Sequence, residues 1–163
     1  MKFLKIALIT LLFASFSMGC SQKEKTNNAS ATEQAIQQNI KEINSCIKAE
    51  NWEKARMVAE TTSDAYAHNM TAIEAAQMTL IYIQLLSEPQ TNTNFEKYYL
   101  YAKRIVEFHD IAIAKNKDLV QNYYISLGVE NIIRDTYENA QYIVTAKDIA
   151  GKDSTYVQIK SND

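Results

Sequence analysis

Residue types on which many active sites depend are scarce in this 163-residue chain, which has three glycines, one proline and two cysteines. Phosphate-binding loops and the nucleophile elbow of serine hydrolases both need clustered glycines, so neither motif is present. Few glycines and prolines also mean few points at which a helix would be interrupted. The sequence therefore predicts an all-α domain of long helices with short connections.

The chain also has no excess of basic residues over acidic ones. The chain contains 17 lysine and arginine residues against 19 aspartate and glutamate residues, for a formal net charge of −2. A nucleic-acid-binding protein needs a concentrated basic surface to neutralise phosphates. We therefore expect no nucleic-acid partner.

The N-terminus does contain a long uncharged run. Lys2 and Lys5 provide a basic start, and residues 6–16 follow without any charge. About eleven residues are too few for a membrane-spanning helix, which needs roughly 20. A basic start followed by a short apolar run is typical of a secretory signal peptide, which we assign to residues 1–19.

Residues 17–20, Ser-Met-Gly-Cys, resemble the lipobox of bacterial lipoproteins, with Ser and Met at positions where Leu and a smaller residue are usual. The resemblance covers residues 1–20. It implies that the chain is cleaved before Cys20 and that this cysteine is then acylated, with palmitate among the acyl groups. Two or three acyl chains would anchor the protein without a transmembrane helix. Ser21, where an Asp would imply retention at the inner membrane, implies the outer membrane, on either its periplasmic or its cell-surface face.

The chain after Cys20 divides into three parts. Residues 20–29 are polar and predict a flexible tether, residues 30–147 the helical domain, and residues 148–163 a C-terminal tail. Loss of the signal peptide changes the net charge to −4, and acylation of Cys20 leaves Cys46 as the remaining thiol. A disulfide within one chain is then excluded, and Cys46 is expected to be a buried small apolar residue.

Helix-capping residues mark five predicted helix starts within residues 30–147. Each cap precedes an apolar stripe with spacings of three and four residues, as in an amphipathic helix. The fifth predicted helix continues with a bend at Gly128 and ends near Lys147. The predicted caps are Ser30, Asn51, Thr71, Thr93 and Asp118.

Two short segments repeat with a shift of 43 residues: Asn-Trp-Glu-Lys at 51–54 and Asn-Phe-Glu-Lys at 94–97. The first segment, continued to Ala55, resembles the start of the second helix in tetratricopeptide repeats. The shift differs from the repeat length of about 34 residues in that family, and the Gly and Tyr positions of its first helix are absent. Stacked helical hairpins and an antiparallel bundle therefore both remain open.

Two groups of possible metal ligands are the basis for an alternative function, a small metal-dependent or hydrolytic enzyme. A metal site needs three or four converging ligands, which a helical bundle can supply. Carboxylates four residues apart are equally typical of a solvated helix face, so we predict no catalysis, metal or cofactor. The two groups are Glu60, Asp64 and His68, and Glu107, His109 and Asp110.

Tyrosine is abundant, with ten residues, of which five fall in the fourth and fifth predicted helices. Side chains one and three positions apart point in different directions on a helix, so one helix–helix contact cannot bury all five. Tyrosine provides a large amphipathic contact area and is enriched at interfaces. We therefore predict a binding surface for a protein or glycan, the alternative being simple packing between the two helices. The five are Tyr98, Tyr99, Tyr101, Tyr123 and Tyr124.

The lipid anchor can be tested by replacing Cys20 with alanine. Without the thiol there is no site for acylation, so Cys20→Ala should leave the membrane fraction or accumulate as the uncleaved precursor. Fractionation of cells followed by mass determination measures both outcomes. A processed Cys20→Ala protein that still fractionates with membranes would contradict the lipobox assignment.

Overall fold

The computed structural model describes residues 30–89 and 91–160, with the side chains of residues 92 and 150–160 excepted. The predicted signal peptide, Cys20 and the tether lie outside the described residues. The described part is all-α, as predicted, and contains five helices and no strand. They are α1 (Ala31–Lys48), α2 (Trp52–Tyr66), α3 (Ala72–Leu85), α4 (Phe95–Ser126) and α5 (Glu130–Lys160). None of the described helices is long and apolar enough to cross a membrane.

Three of the five predicted helix caps are confirmed by hydrogen bonds. The side chain of Ser30 accepts from the backbone N–H of Glu33, and that of Asn51 accepts from Lys54, each at 3.2 Å. Thr71 and Glu74 form a reciprocal capping box at the start of α3. These side chains satisfy backbone N–H groups that have no partner in the first turn of a helix.

The predicted cap of the fourth helix was wrong by one residue. Thr93 lies in a short 3₁₀ turn, Thr91–Thr93, and Asn94 is the cap, with its side-chain oxygen 3.0 Å from the backbone nitrogen of Lys97. Asn94 and Asn51 therefore both cap the N-terminus of a helix, at equivalent positions of the two repeated segments. The repeat seen in the sequence corresponds to a repeated local structure.

Helix α4 is sharply bent at Asn116, whose backbone is extended (φ −164°, ψ 91°). The rings of His109 and Tyr124 lie 6.1 Å apart, although fifteen residues of straight helix would separate them by about 22 Å. The Asn116 side chain caps the second segment by accepting from the N–H of Leu119 at 3.1 Å. The predicted helix start at Asp118 was therefore correct in kind but placed two residues late.

Gly128 ends a helix and does not bend one, which corrects the prediction of a continuous fifth helix. Its φ of +65° and the bond from its N–H to the carbonyl of Ile125 complete a Schellman motif with Val129 and Tyr124. Helix α5 then begins at Glu130 and continues to Lys160, into the segment predicted as the tail. The same motif ends α1, where Glu50 has a φ of 55°.

The core is organised around α3, of which twelve of fourteen residues are buried. Helices α1, α2 and α4 pack against it, α1 packs on α2, and α5 packs on α4. The apolar stripe predicted for α1 is buried, and so is the free thiol of Cys46, as predicted. The stripe consists of Ile36, Ile40, Ile43 and Ile47.

The two Schellman motifs allow a paired test of backbone strain. Gly128→Ala should lower the free energy of unfolding by about 1 kcal/mol, because alanine resists a positive φ. A Cβ at this position would meet no atom within 4 Å, so the loss would come from the backbone alone.

Glu50→Gly is the matched change in the opposite direction, and it should leave stability unchanged or raise it by about 0.5 kcal/mol. Urea denaturation followed by circular dichroism measures both variants. Equal stability of Gly128→Ala and the unchanged protein would contradict the account of this helix end.

Candidate functional site

Three of the four carboxylates proposed from the sequence as metal ligands do converge, but around Arg104. The guanidinium Nη2 lies 3.2 Å from a carboxylate oxygen of Glu60 on α2, and Nη1 lies 2.9 Å from one of Glu107 on α4. Asp64 forms a third ion pair with Nη2. The Arg104 side chain is only 16% exposed. Burial opposes its charge, but the hydrogen bonds that the guanidinium donates to Glu107 and Asp64 together raise the pKa of Arg104 above its usual range.

The buried hydroxyl of Tyr82 connects this cluster to α3. It lies 2.8 Å from the Ser63 hydroxyl and donates to a Glu60 carboxylate oxygen at 3.0 Å. The Tyr82 ring is fully buried and stacks on Phe108 of α4 with a centroid distance of 5.9 Å. Burial first, and then the nearby Glu60 charge, raise the pKa of Tyr82. The cluster thus holds α2, α3 and α4 together.

The two histidines lie in different surroundings. His68 is exposed in the 3₁₀ turn Ala67–Asn69. His109 packs between the rings of Tyr137, at 4.3 Å, and Tyr124, at 6.1 Å. Burial lowers the pKa of His109, and its Nδ1 atom is buried without a hydrogen-bond partner. Asp110, its neighbour in the proposed ligand group, instead accepts a hydrogen bond from the Tyr137 hydroxyl at 2.6 Å. Within residues 30–89 and 91–160, no three His, Cys, Asp or Glu side chains are placed to hold a metal ion.

The five tyrosines proposed as a binding surface divide between core and surface. Tyr101 and Tyr124 are buried, at 0% and 3% exposure, so neither can contact a ligand at the surface. Tyr101 donates a hydrogen bond to the buried carboxylate of Glu88, at 3.2 Å, and that carboxylate also pairs with Lys97 at 2.5 Å. Tyr123 is half-buried against the core. For these three residues the packing alternative describes the structure.

Tyr98 and Tyr99 are half-buried at the start of α4, beside Phe95, which is 61% exposed. We call Phe95, Tyr98 and Tyr99 the aromatic surface. Sequence reasoning missed Phe95, because its spacing places it on the apolar stripe of α4. It is exposed because it is the first residue of the helix, about two turns before the stripe reaches the core at Tyr101 and Ala102.

Side chains from α5 complete this region. The Lys147 ammonium lies 4.0 Å from the centre of the Tyr99 ring and 5.6 Å from that of Phe95, and it pairs with Glu96. The Tyr99 hydroxyl donates to Asp148 at 3.3 Å. Partial burial and the Asp148 charge raise the pKa of Tyr99. Further along the same two helices, a shallow groove of about 510 Å³ is lined by Val106 and by Tyr142, Val144 and three polar residues of α5.

The aromatic surface lies at the opposite end of the domain from Ser30. A 2.8 Å hydrogen bond between Gln37 and Glu74 places the first turns of α1 beside the first turn of α3. The Lys97–Glu88 pair places the start of α4 beside the last turn of α3. Fourteen residues of helix span about 21 Å, so at least that distance separates the two ends.

Comparison with protein-family models, with curated proteins and with solved structures finds no match to this chain.

Two Tyr→Phe substitutions, at Tyr82 and at Tyr124, separate the contribution of the Tyr82 hydrogen bonds from the effect of removing any buried tyrosine hydroxyl. Tyr82→Phe should lower the free energy of unfolding by about 2 kcal/mol, because Glu60 and Ser63 lose a buried hydrogen-bond partner. Tyr124→Phe removes a buried hydroxyl that makes no hydrogen bond of good geometry, so it should change stability by less than about 0.5 kcal/mol or increase it. Urea denaturation measures both. Equal losses for the two variants would contradict the structural role of the Arg104 cluster.

Proposed function

We propose that this protein is a lipoprotein of the outer membrane whose helical domain binds a protein or glycan partner and performs no catalysis. Acylated Cys20 would anchor it, and residues 21–29 would connect the anchor to α1. The basic start, the short apolar run and the Ser-Met-Gly-Cys segment at residues 17–20 support the anchor. Within this proposal a protein is the leading partner, since the aromatic surface is flanked by charged groups on both helices.

The observation that carries the binding function is the aromatic surface itself. Phe95 is 61% exposed, and the half-buried rings of Tyr98 and Tyr99 lie beside it. Aromatic side chains that are fixed on a helix and reach solvent are frequent anchors at protein interfaces. The chain enters the domain at Ser30, at the other end of α3, so an anchored domain would present these rings away from its attachment point.

The carboxylate cluster argues for a structural role over the enzyme alternative. Glu60, Asp64 and Glu107 are each paired with the guanidinium of Arg104, and Glu60 also accepts from Tyr82. These interactions join three helices and occupy the groups that hydrolytic chemistry would use. For this reason we assign the cluster to stability.

We further propose that the helices form stacked hairpins similar to a tetratricopeptide array. Support comes from the packing of α1 on α2, of α3 on α4, and of α1 on α3. The equivalent caps Asn51 and Asn94 each open the second helix of a hairpin. Stacked hairpins commonly present extended surfaces to protein partners.

Crosslinking in intact cells tests the binding function. The full chain carries a C-terminal tag, and the crosslinked species recovered with the unchanged protein is compared with that of Phe95→Ser and Tyr98→Ser. Truncation of an interface anchor costs about 2 kcal/mol or more, so each variant should recover the species at least tenfold less well.

Tyr142→Ser is the matched control, because Tyr142 is 75% exposed but lies outside the aromatic surface. It should recover the same species as the unchanged protein. If the aromatic variants recover that species normally, or if all three variants lose it equally, the aromatic surface is not the binding site.

A further inference from the structure

The ammonium group of Lys147 is enclosed by groups that recognise cations. It lies over the faces of two aromatic rings, Tyr99 at 4.0 Å and Phe95 at 5.6 Å, and it pairs with the carboxylate of Glu96. The face of an aromatic ring carries negative electrostatic potential and attracts cations within about 6 Å. Asp148 adds a second carboxylate next to the Tyr99 hydroxyl.

Lys147 is held at the surface, so another cation can take its place. The Glu96 side chain is 77% exposed and Phe95 is 61% exposed, so the ring and the carboxylate already face solvent. Ion pairs and cation–π contacts at exposed sites are weak, because water screens them and competes for the charged groups. Each contact that Lys147 gives up is therefore weak, and the other contacts of a partner's interface would offset the advantage that Lys147 has as an intramolecular group.

The chemistry of the site favours a lysine side chain over a quaternary ammonium headgroup. A lysine ammonium carries three N–H donors, which the carboxylates of Glu96 and Asp148 can accept, whereas a quaternary ammonium has none. Lys147 demonstrates the fit, since it is itself a lysine on a peptide backbone. The site also lies at the opposite end of α3 from Ser30, where the tether to the proposed lipid anchor begins.

We propose that Phe95, Glu96, Tyr99 and Asp148 form a binding site for a lysine side chain of a partner protein, which Lys147 occupies until the partner arrives. We call it the ammonium site. This inference rests on the proposed binding function and specifies the chemistry that the partner presents. Displacement of Lys147 removes its ion pair with Glu96 and its ring contacts with Tyr99 and Phe95 between α5 and the start of α4.

The test uses the mature lipidated protein in detergent and the blocked peptide acetyl-Gly-Lys-Gly-amide, with ligand-observed NMR to obtain dissociation constants. Lys147→Gln removes the internal competitor, so the peptide should bind about fivefold more tightly than it binds the unchanged protein. The peptide acetyl-Gly-Gln-Gly-amide should show no such gain. Equal affinity of the lysine peptide for Lys147→Gln and the unchanged protein would overturn the proposal.

Two further variants do not depend on how Lys147→Gln folds. Glu96→Gln and Phe95→Ala, each in the otherwise unchanged protein, should weaken binding of the lysine peptide, whereas Tyr142→Ala should not. Choline, the headgroup probe, should bind more weakly than the lysine peptide, and tighter choline binding would overturn the assignment to a protein lysine. Phe95→Ser and Tyr98→Ser could reduce crosslinking as expected while Lys147→Gln leaves the affinity for the lysine peptide unchanged. This inference would then be wrong, and the proposed function would still hold.

Discussion

Helix α3 is enclosed by α1, α2 and α4, and this enclosure determines how its polar side chains must be paired. Twelve of its fourteen residues are buried, among them Glu74 and Tyr82. A buried carboxylate or hydroxyl without a partner costs free energy, and Glu74 and Tyr82 both have partners on a neighbouring helix. Glu74 caps α3 and accepts from Gln37, and Tyr82 connects to Ser63 and Glu60. The hydrogen bonds of α3 thereby fix the positions of the helices around it.

The Arg104 cluster follows from the same constraint and explains why converging acidic side chains do not by themselves indicate a metal site. Three carboxylates from α2 and α4 meet there, as a site for a divalent cation would require. The cation at the centre is a guanidinium, which is planar, permanently charged and able to donate to several carboxylates at once. Arg104 thus compensates the carboxylate charge and joins two helices, and the buried ring of Tyr82 ties them to a third.

Tyrosine has two roles in this fold, separated by position along α4. Tyr101 faces the core, and its hydroxyl pairs with buried Glu88. Tyr98 and Tyr99 come before the helix enters the core and are only half-buried, and Phe95 is mostly exposed. The proposed binding function uses the second group, and the contact of Tyr99 with Lys147 makes the state of that surface depend on α5.

The amino-acid sequence by itself determined the helical class, the caps at Ser30, Asn51 and Thr71, and the buried stripe of α1, because caps and periodic stripes act over three or four residues. The same local reasoning placed a helix start near residue 118 and selected the carboxylates that converge. It did not identify Arg104 as the residue that these carboxylates surround. It also did not predict that Tyr101 and Tyr124 lie in the core, or that the Lys147 ammonium packs over the Tyr99 ring. These depend on contacts between residues that are distant in sequence, since Tyr99 lies 48 positions from Lys147 and Arg104 lies 40 positions from Asp64. Only the packing of whole helices decides such contacts, since a helix rotated by a small angle would bring different side chains together.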